Sequence, residues 1–478
     1  MSRRTAIIIV VAVAVLTPAF LVITGVLQKT QVSPTPVSLI WWTTEDNAPA
    51  IQGLVNAYRG LHPYVNITVV TKNAATLDRD LKDAWAKNQG PDIFSIPNTA
   101  TASYQEFITP LPSKTRVAYY RTRNLIVRQE QEIVYQDEPS TTPRQVRSEF
   151  VEAVGQDVVL RNGQGNEHVY GLPLAVDTLM LFFNRDLLNS ANILDPPTTW
   201  EEFATHIPQL TIYDTEGNVT RSAVGLGLAK NVPHAFDILS LLMLQNGTRM
   251  VSPDGSKVEF HKSNVQGVNP GLIALEFYTD FAQTNPPQAT YTWTPESPDA
   301  LDLFTQGKLA YAFGYQSDRV RIATAAPTLN FGVAPVPHIH DNAFDNDATA
   351  PAGDQLRKIT YGRYHVQAVS LKAGRVANEA WNLVQFAARS GAVRNYLDTT
   401  KQVAAFKQYL REQQSNPDLA VPANQASALR SWYRGTDFAA VEQYIADLIE
   451  SVALEGVEPG RALELAAGQV QQTLPEEP

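Results

Sequence analysis

The longest apolar run stands at the amino terminus, where Ala6 to Leu27 carries no charge. At about 1.5 Å rise per residue, a helix of that length spans roughly the 30 Å hydrocarbon core of a bilayer. Arg3 and Arg4 precede it, and the positive-inside bias keeps residues 1–5 cytoplasmic and places the chain beyond Leu27 outside. A cleaved signal peptide is the competing reading. The stretch exceeds the usual apolar core of such peptides, and Leu27-Gln28-Lys29-Thr30 offers no small-x-small site, so the pattern predicts an uncleaved anchor over 6–27. Residues 28–36, with two prolines and no periodicity, read as a stalk. Beyond it the periodicity changes. Val37 to Trp42 is a strand suited to burial on both faces, and Ile51, Leu54, Val55 and Tyr58 form a helical stripe. Val65 to Val70 is a second strand, Leu77, Leu81, Ala84 and Trp85 a second stripe, and Ile93 to Ile96 a third strand. Such βαβαβ alternation forces parallel neighbours and right-handed crossovers, an α/β doubly wound lobe.

Farther on, Lys114 to Val159 is less regular and reads as an insertion. Gly171 to Phe183 is apolar and broken by Pro173, the profile of a strand passing between two lobes. Thr199 and Glu202 fit a capping box, which predicts a helix start there. Phe331 to Pro337 reads as a second crossing, Ile359 to Leu371 as strand, and residues 378–473 as almost wholly helical.

Composition narrows the chemistry. Across 478 residues, 38 Lys plus Arg against 48 Asp plus Glu leave a net charge of −10, which repels phosphate backbones and weighs against nucleic acid as a partner. Without a cysteine the chain has no disulfide, no thiolate nucleophile and no Cys-ligated metal. Gly-rich phosphate loops, the GxSxG elbow and HExxH are absent, and no cofactor or metal is expected. His338-Ile339-His340-Asp341 reads as a polar loop, and Asp214 to Asn218 as a hairpin turn rather than half a calcium loop. What stands out is the placement of aromatic and neutral polar residues at expected strand ends, where open α/β sheets bind their ligands.

As an ordered set, IWWTTEDNAPAIQGLVNAYRGLHPYVNITVV, GPDIFSIPNT, YGLPLAVDTLMLFFNRDLL with PPTTWEEF, and FTQGKLAYAFGYQSDRV with FGVAPVP resemble the extracytoplasmic solute-binding proteins of the maltose-binding type, receptors for ABC importers. The resemblance implies a two-lobe periplasmic-binding-protein-like fold with a hinge and an interlobe cleft. It assigns 37–175 and 333–375 to an N-terminal lobe, and 176–332 and 376–474 to a C-terminal lobe. Carried over by position, the cleft residues are Trp42, Thr44 and Glu45 after the first strand, Asn98 after the third, Asp177 at the crossing, Gln245, Tyr315, Gln316, Tyr361 and Trp432. The chain departs from lipoprotein members in lacking their Cys, and its 114–159 insertion is longer than the family leads one to expect. The resulting expectation is a membrane-anchored, single-pass, monomeric receptor, not an enzyme. It would hold a neutral polar solute, an oligosaccharide first, and deliver it to the transmembrane subunits of an ABC permease. Two alternatives stay open: a cell-surface glycan hydrolase using cleft carboxylates, and an interaction protein that kept the fold without transport.

Overall fold

The computed structural model describes residues 34–44, 48–124, 129–283, 289–339 and 358–474. The anchor expected over 6–27 lies outside them, and among the described residues no helix is long and apolar enough to cross a membrane. The functional reading is corrected accordingly: the transmembrane anchor, the membrane as a partner and the single-pass location are dropped. What the fold supports is a two-lobe body with a hinge.

The first part of the chain obeys its periodicity. Strand β1 (Val37–Thr43), helix α1 (Ala48–Leu61), strand β2 (Val65–Thr71), helix α2 (Leu77–Ala86) and strand β3 (Ile93–Pro97) form the expected βαβαβ. β1 pairs in parallel with β2 and β3, and the stripes Ile51-Leu54-Val55-Tyr58 and Leu77-Leu81-Trp85 are buried. β1 buries Leu39, Trp41 and Thr43 but leaves Ile40 40% exposed, so one face is covered rather than both. The insertion holds a long antiparallel hairpin, β4 (Lys114–Asn124) with β5 (Gln129–Pro139), and after it the short helix α3 (Glu152–Val158).

The run from Gly171 to Phe183 divides into three strands, each in a different sheet: β6 (Leu172–Pro173), β7 (Ala175–Thr178) and β8 (Met180–Asn184). The second lobe then adds α4 (Trp200–Leu210), α5 (Ala235–Gln245), β9 (Tyr311–Gly314), α6 (Gln316–Ala325) and β10 (Phe331–Pro335). Thr199 caps α4 by accepting from the Glu202 N–H at 3.1 Å, while the Glu202 carboxylate turns back to the N–H and hydroxyl of Thr198. The chain returns through β11 (Thr360–Arg363), and β12 (His365–Val369) rejoins the first sheet in the order β2-β1-β3-β12-β6. The last part comprises α7 (Ala377–Arg389), β13 (Val403–Ala404), α8 (Ala420–Gln425), β14 (Leu429–Arg430), α9 (Phe438–Ala453) and α10 (Pro459–Gln471).

Two hydrophobic cores divide the chain differently from the expected ranges. One takes residues from Leu39 to Val176 and from Tyr364 to Leu429; the other takes Leu179 to Val336, Tyr361 and Trp432 to Leu474. Phe331 to Pro337 does not cross: β10 is an edge strand of the second lobe, antiparallel to β8. The return crossing lies at 361–364 and a third at 429–432. Helix α7 joins the first lobe because Trp381, Leu383, Val384 and Ala387 bury a stripe in that core. Between the cores, β13-β7-β11-β14 form a four-stranded hinge sheet in which Arg363 stands opposite Asp177 and Gly362 opposite Thr178. A Cβ on Gly362 would come within 2.3 Å of Leu429 and 2.7 Å of the Asp177 carbonyl, so only glycine lets these strands approach so closely.

Candidate functional site

On the first lobe, the carboxyl ends of β1 and β3 deliver Trp42, Thr44 and Asn98. The Trp42 ring is partly exposed, with the Lys72 ammonium 3.8 Å from its centroid, and the Thr44 hydroxyl lies 3.0 Å from His365 Nε2. Asn98 is buried and donates through Nδ2 to Asp157 at 2.9 Å. Asp157, on α3, gathers groups from both return crossings. It accepts from the Tyr364 hydroxyl, from the Ser431 hydroxyl at 2.9 Å and from Arg434 Nη2 at 2.7 Å. Burial, then the Asp157 charge, pushes the Tyr364 phenol far above its ordinary range.

On the second lobe, β9 ends in Tyr315 and Gln316, and α5 contributes a second buried carboxylate. Asp237, wholly buried, accepts from Arg363 Nε at 2.7 Å, from Arg363 Nη2 at 2.9 Å and from the Tyr315 hydroxyl at 2.9 Å. Arg363 also reaches Glu442 at 2.6 Å. At the start of α5, His234 takes a left-handed backbone, φ 63°, a conformation that costs a non-glycine residue energy and tends to be kept where side-chain placement matters. Its Nε2 lies 2.8 Å from Asp318, and its ring stands perpendicular to that of Tyr315 at 4.9 Å.

Asp177 projects from the hinge onto the first turn of α6, where both carboxylate oxygens accept the Gln316 N–H, at 3.2 and 3.1 Å. Burial, reinforced by the neighbouring Asp318 charge, raises its pKa to about 7 against these hydrogen bonds. Two side-chain atoms nearby are buried without a hydrogen-bond partner among the described residues: Gln316 Oε1 and the Tyr361 hydroxyl. Buried polar atoms are nearly always satisfied, so unpaired ones at a hinge mark a place awaiting a partner.

Asp177 makes stability depend on pH. An unfolded aspartate ionises near 3.9, so between about pH 4 and 7 the folded chain binds more protons than the unfolded one. This group's contribution to stability is complete below about pH 4, declines as pH rises and is flat above about 7. Asp177→Asn removes the dependence, so urea titrations should show the variant gaining on the wild type from pH 4 to 7. A difference that stays constant with pH would show Asp177 ionised throughout.

The structure thus brings Asp177, Tyr315, Gln316 and Tyr361 together at the hinge, with Trp42, Thr44 and Asn98 on the facing lobe. Glu45 lies outside the described residues. Gln245 and Trp432 are placed elsewhere, in the second core. Gln245 accepts from Trp200 Nε1 at 2.7 Å and donates to the Pro337 and Ile359 carbonyls at 3.1 and 2.9 Å. Trp432 is 3% exposed, stacks on Phe236 and donates to Ser240. Sequence reasoning missed Asp157, Asp237, Arg363 and Arg434. The available signal was a charge inside an apolar run, as in FDILSLLML around Asp237 and TYGRYHVQAV around Arg363. Among the described residues no group of three or more His, Asp or Glu is arranged to hold a metal ion.

Residues 128–394 match the family model described as bacterial extracellular solute-binding protein. The chain belongs to this family. A binding protein of Brucella abortus is 24% identical over 322 residues, 64% of this chain and 68% of that protein. A galactooligosaccharide-binding protein of Bacillus subtilis is 25% identical over 165 residues, 34% of this chain and 31% of its own. Among solved structures, a cyclic α-maltosyl-1,6-maltose binding protein from Arthrobacter globiformis superposes with a TM-score of 0.67 at 16% identity, covering 92% of this chain and 99% of that one. The maltose-binding protein of Listeria monocytogenes gives 0.63 at 13%, covering 92% and 98%. These likenesses show the fold. The family and these relatives are binding proteins, and by family the chain is a solute-binding protein.

Proposed function

We propose that the protein is an extracytoplasmic receptor that captures a neutral polar solute, an oligosaccharide first, between its lobes and presents it to an ABC importer. The carrying observation is the pair of cores joined through a hinge sheet, with the buried, unpaired Gln316 Oε1 and Tyr361 hydroxyl beside it. Neutral donors and acceptors of this kind suit hydroxyl groups. Two of the charges around them are matched within the protein, Asp237 by Arg363 and Asp157 by Arg434. Selectivity would arise because a closed site that lacks one expected hydroxyl leaves a buried group unsatisfied. Relatives named for galactooligosaccharide, cyclic maltosyl-maltose and maltose support the sugar class.

Calorimetric titration with maltotetraose, mannotriose and galactooligosaccharides tests the reading, with saturable binding of at least one expected. Silence across these sugars, with binding of a peptide or polyamine instead, would overturn the solute class. Trp42→Ala should lower affinity for a bound sugar about tenfold, roughly 1.4 kcal/mol, because a partly exposed ring at a strand end offers apolar area to a sugar ring. Its melting temperature should barely move. Unchanged titrations would remove Trp42 from the cleft.

A further inference from the structure

A cavity lies apart from the strand ends that deliver Trp42, Asn98 and Gln316. It is an open pocket of about 340 Å³ between the α6–β10 edge of the second lobe and residues 417–422, a segment that leads into α8. That volume falls in the range of small-molecule sites. Its apolar wall includes Ala323, Phe331, Val333 and Val421, and its charged groups are the guanidiniums of Arg185 and Arg319 and the carboxylate of Asp418. Arg185 lies over the Phe183 ring, 4.9 Å from its centroid, and forms no ion pair among the described residues. Arg319 reaches the Asp418 carbonyl and, at 3.3 Å, the Asp418 carboxylate, whose side chain is 73% exposed. A pair that exposed contributes little and is easily exchanged for another anion.

The α8 wall touches both cores: Ala423 lies in the first, while Val421, which lines the cavity, packs against the second, where α6 and β10 place Ile322 and Ala334. Gln425 of α8 ties them together at the hinge, donating to the Leu179 carbonyl at 3.2 Å and accepting the Val336 N–H at 3.0 Å. Helix α6 links this cavity to the hinge carboxylate as well: its first N–H is held by Asp177, and Arg319 and Ala323 come within the next two turns.

We propose that this cavity is a second ligand site, for a small organic acid whose carboxylate is forked by Arg185 and Arg319 and whose apolar body lies against Phe331 and Val333. Guanidinium groups match a carboxylate's planar geometry and suit this class better than a neutral sugar. Because α8 is rooted in the first core through Ala423, an occupant that displaces it from α6 and β10 changes the angle between the lobes.

The test uses the full chain, titrated with benzoate and hexanoate, with inorganic phosphate as the bare-anion probe. The expected result is saturable binding of one organic acid, weakened at least tenfold in Arg185→Gln and Arg319→Gln. Ala323→Phe, which fills the cavity without touching a charge, should abolish it. If circular dichroism shows that Ala323→Phe does not fold, the two arginine variants decide alone. Failure of every organic acid to saturate, equal affinity in wild type and the arginine variants, or phosphate binding as tightly as benzoate would overturn the proposal. As the chain has no native cysteine, spin labels at Leu61→Cys and Leu194→Cys, both exposed and on opposite lobes, report the hinge. A shift in their distance with benzoate is expected, and an unchanged distance at saturation overturns the coupling. No cleft solute is needed, so the outcome is independent of the sugar reading.

Discussion

Asp237→Ala is expected to lower the unfolding free energy of the second lobe by about 3 kcal/mol, the lower end of the range for breaking a buried ion pair. The carboxylate is wholly buried and receives two hydrogen bonds from Arg363 and one from the Tyr315 hydroxyl. Truncation strands all three donors. The loss stays at the low end because Arg363, 36% exposed at its side chain, keeps Glu442 and some water. Urea unfolding monitored by tryptophan fluorescence checks it through a fall in midpoint with unchanged slope. A companion variant, Asp237→Leu with Arg363→Met, should recover most of the loss, since replacing a whole buried pair by packed apolar groups is often neutral or better. A loss below about 1 kcal/mol for Asp237→Ala would mean that the pair is peripheral to the hinge.

Asp157→Ala should be the other severe change. This carboxylate is nearly fully buried and accepts from Asn98, Tyr364, Ser431 and Arg434, which bring together the end of β3 and the second and third crossings. Removing it leaves several donors unpaired and a guanidinium without its partner, for a cost of about 3–5 kcal/mol. For a lobe-sized unit each kcal/mol moves the melting temperature by about 2–4 °C, so even a 3 kcal/mol loss lowers the first lobe's transition by about 6–12 °C in scanning calorimetry. A double-mutant cycle with Arg434→Ala should return a coupling of at least about 1 kcal/mol. Additive effects would show that the pair does not act as a unit.

The pairings within both hubs were illegible in the sequence for the same reason. Asp237 and Arg363 lie 126 residues apart, and Asp157 and Arg434 lie 277 apart. Neither local periodicity nor spacing reports a partner at such a distance. The aromatic residues teach the same lesson: Tyr315, Tyr361 and Trp432 sit at turns or strand edges, as the pattern indicated, yet all three are buried. A ring at a strand end can face a cleft or turn inward onto a neighbour such as Phe236, and only the packing around it chooses. The crossings show the limit for backbone. Phe331 to Pro337 reads as a crossing and Ile359 to Leu371 as strand, but the first pairs within one lobe while the second breaks at Tyr364 and spans two.

Taken alone, the sequence determined the local elements: the βαβαβ start, the capped helix at Thr199 and the buried stripes of α1 and α2, because periods of two and 3.6 residues depend only on near neighbours. Together with an ordered set of motifs, it also determined the family. The tertiary structure alone decided which lobe each later segment joins, where the hinge strands pair and which polar groups meet at the hinge. Those outcomes depend on contacts between segments far apart in the chain, whose energies no local pattern records.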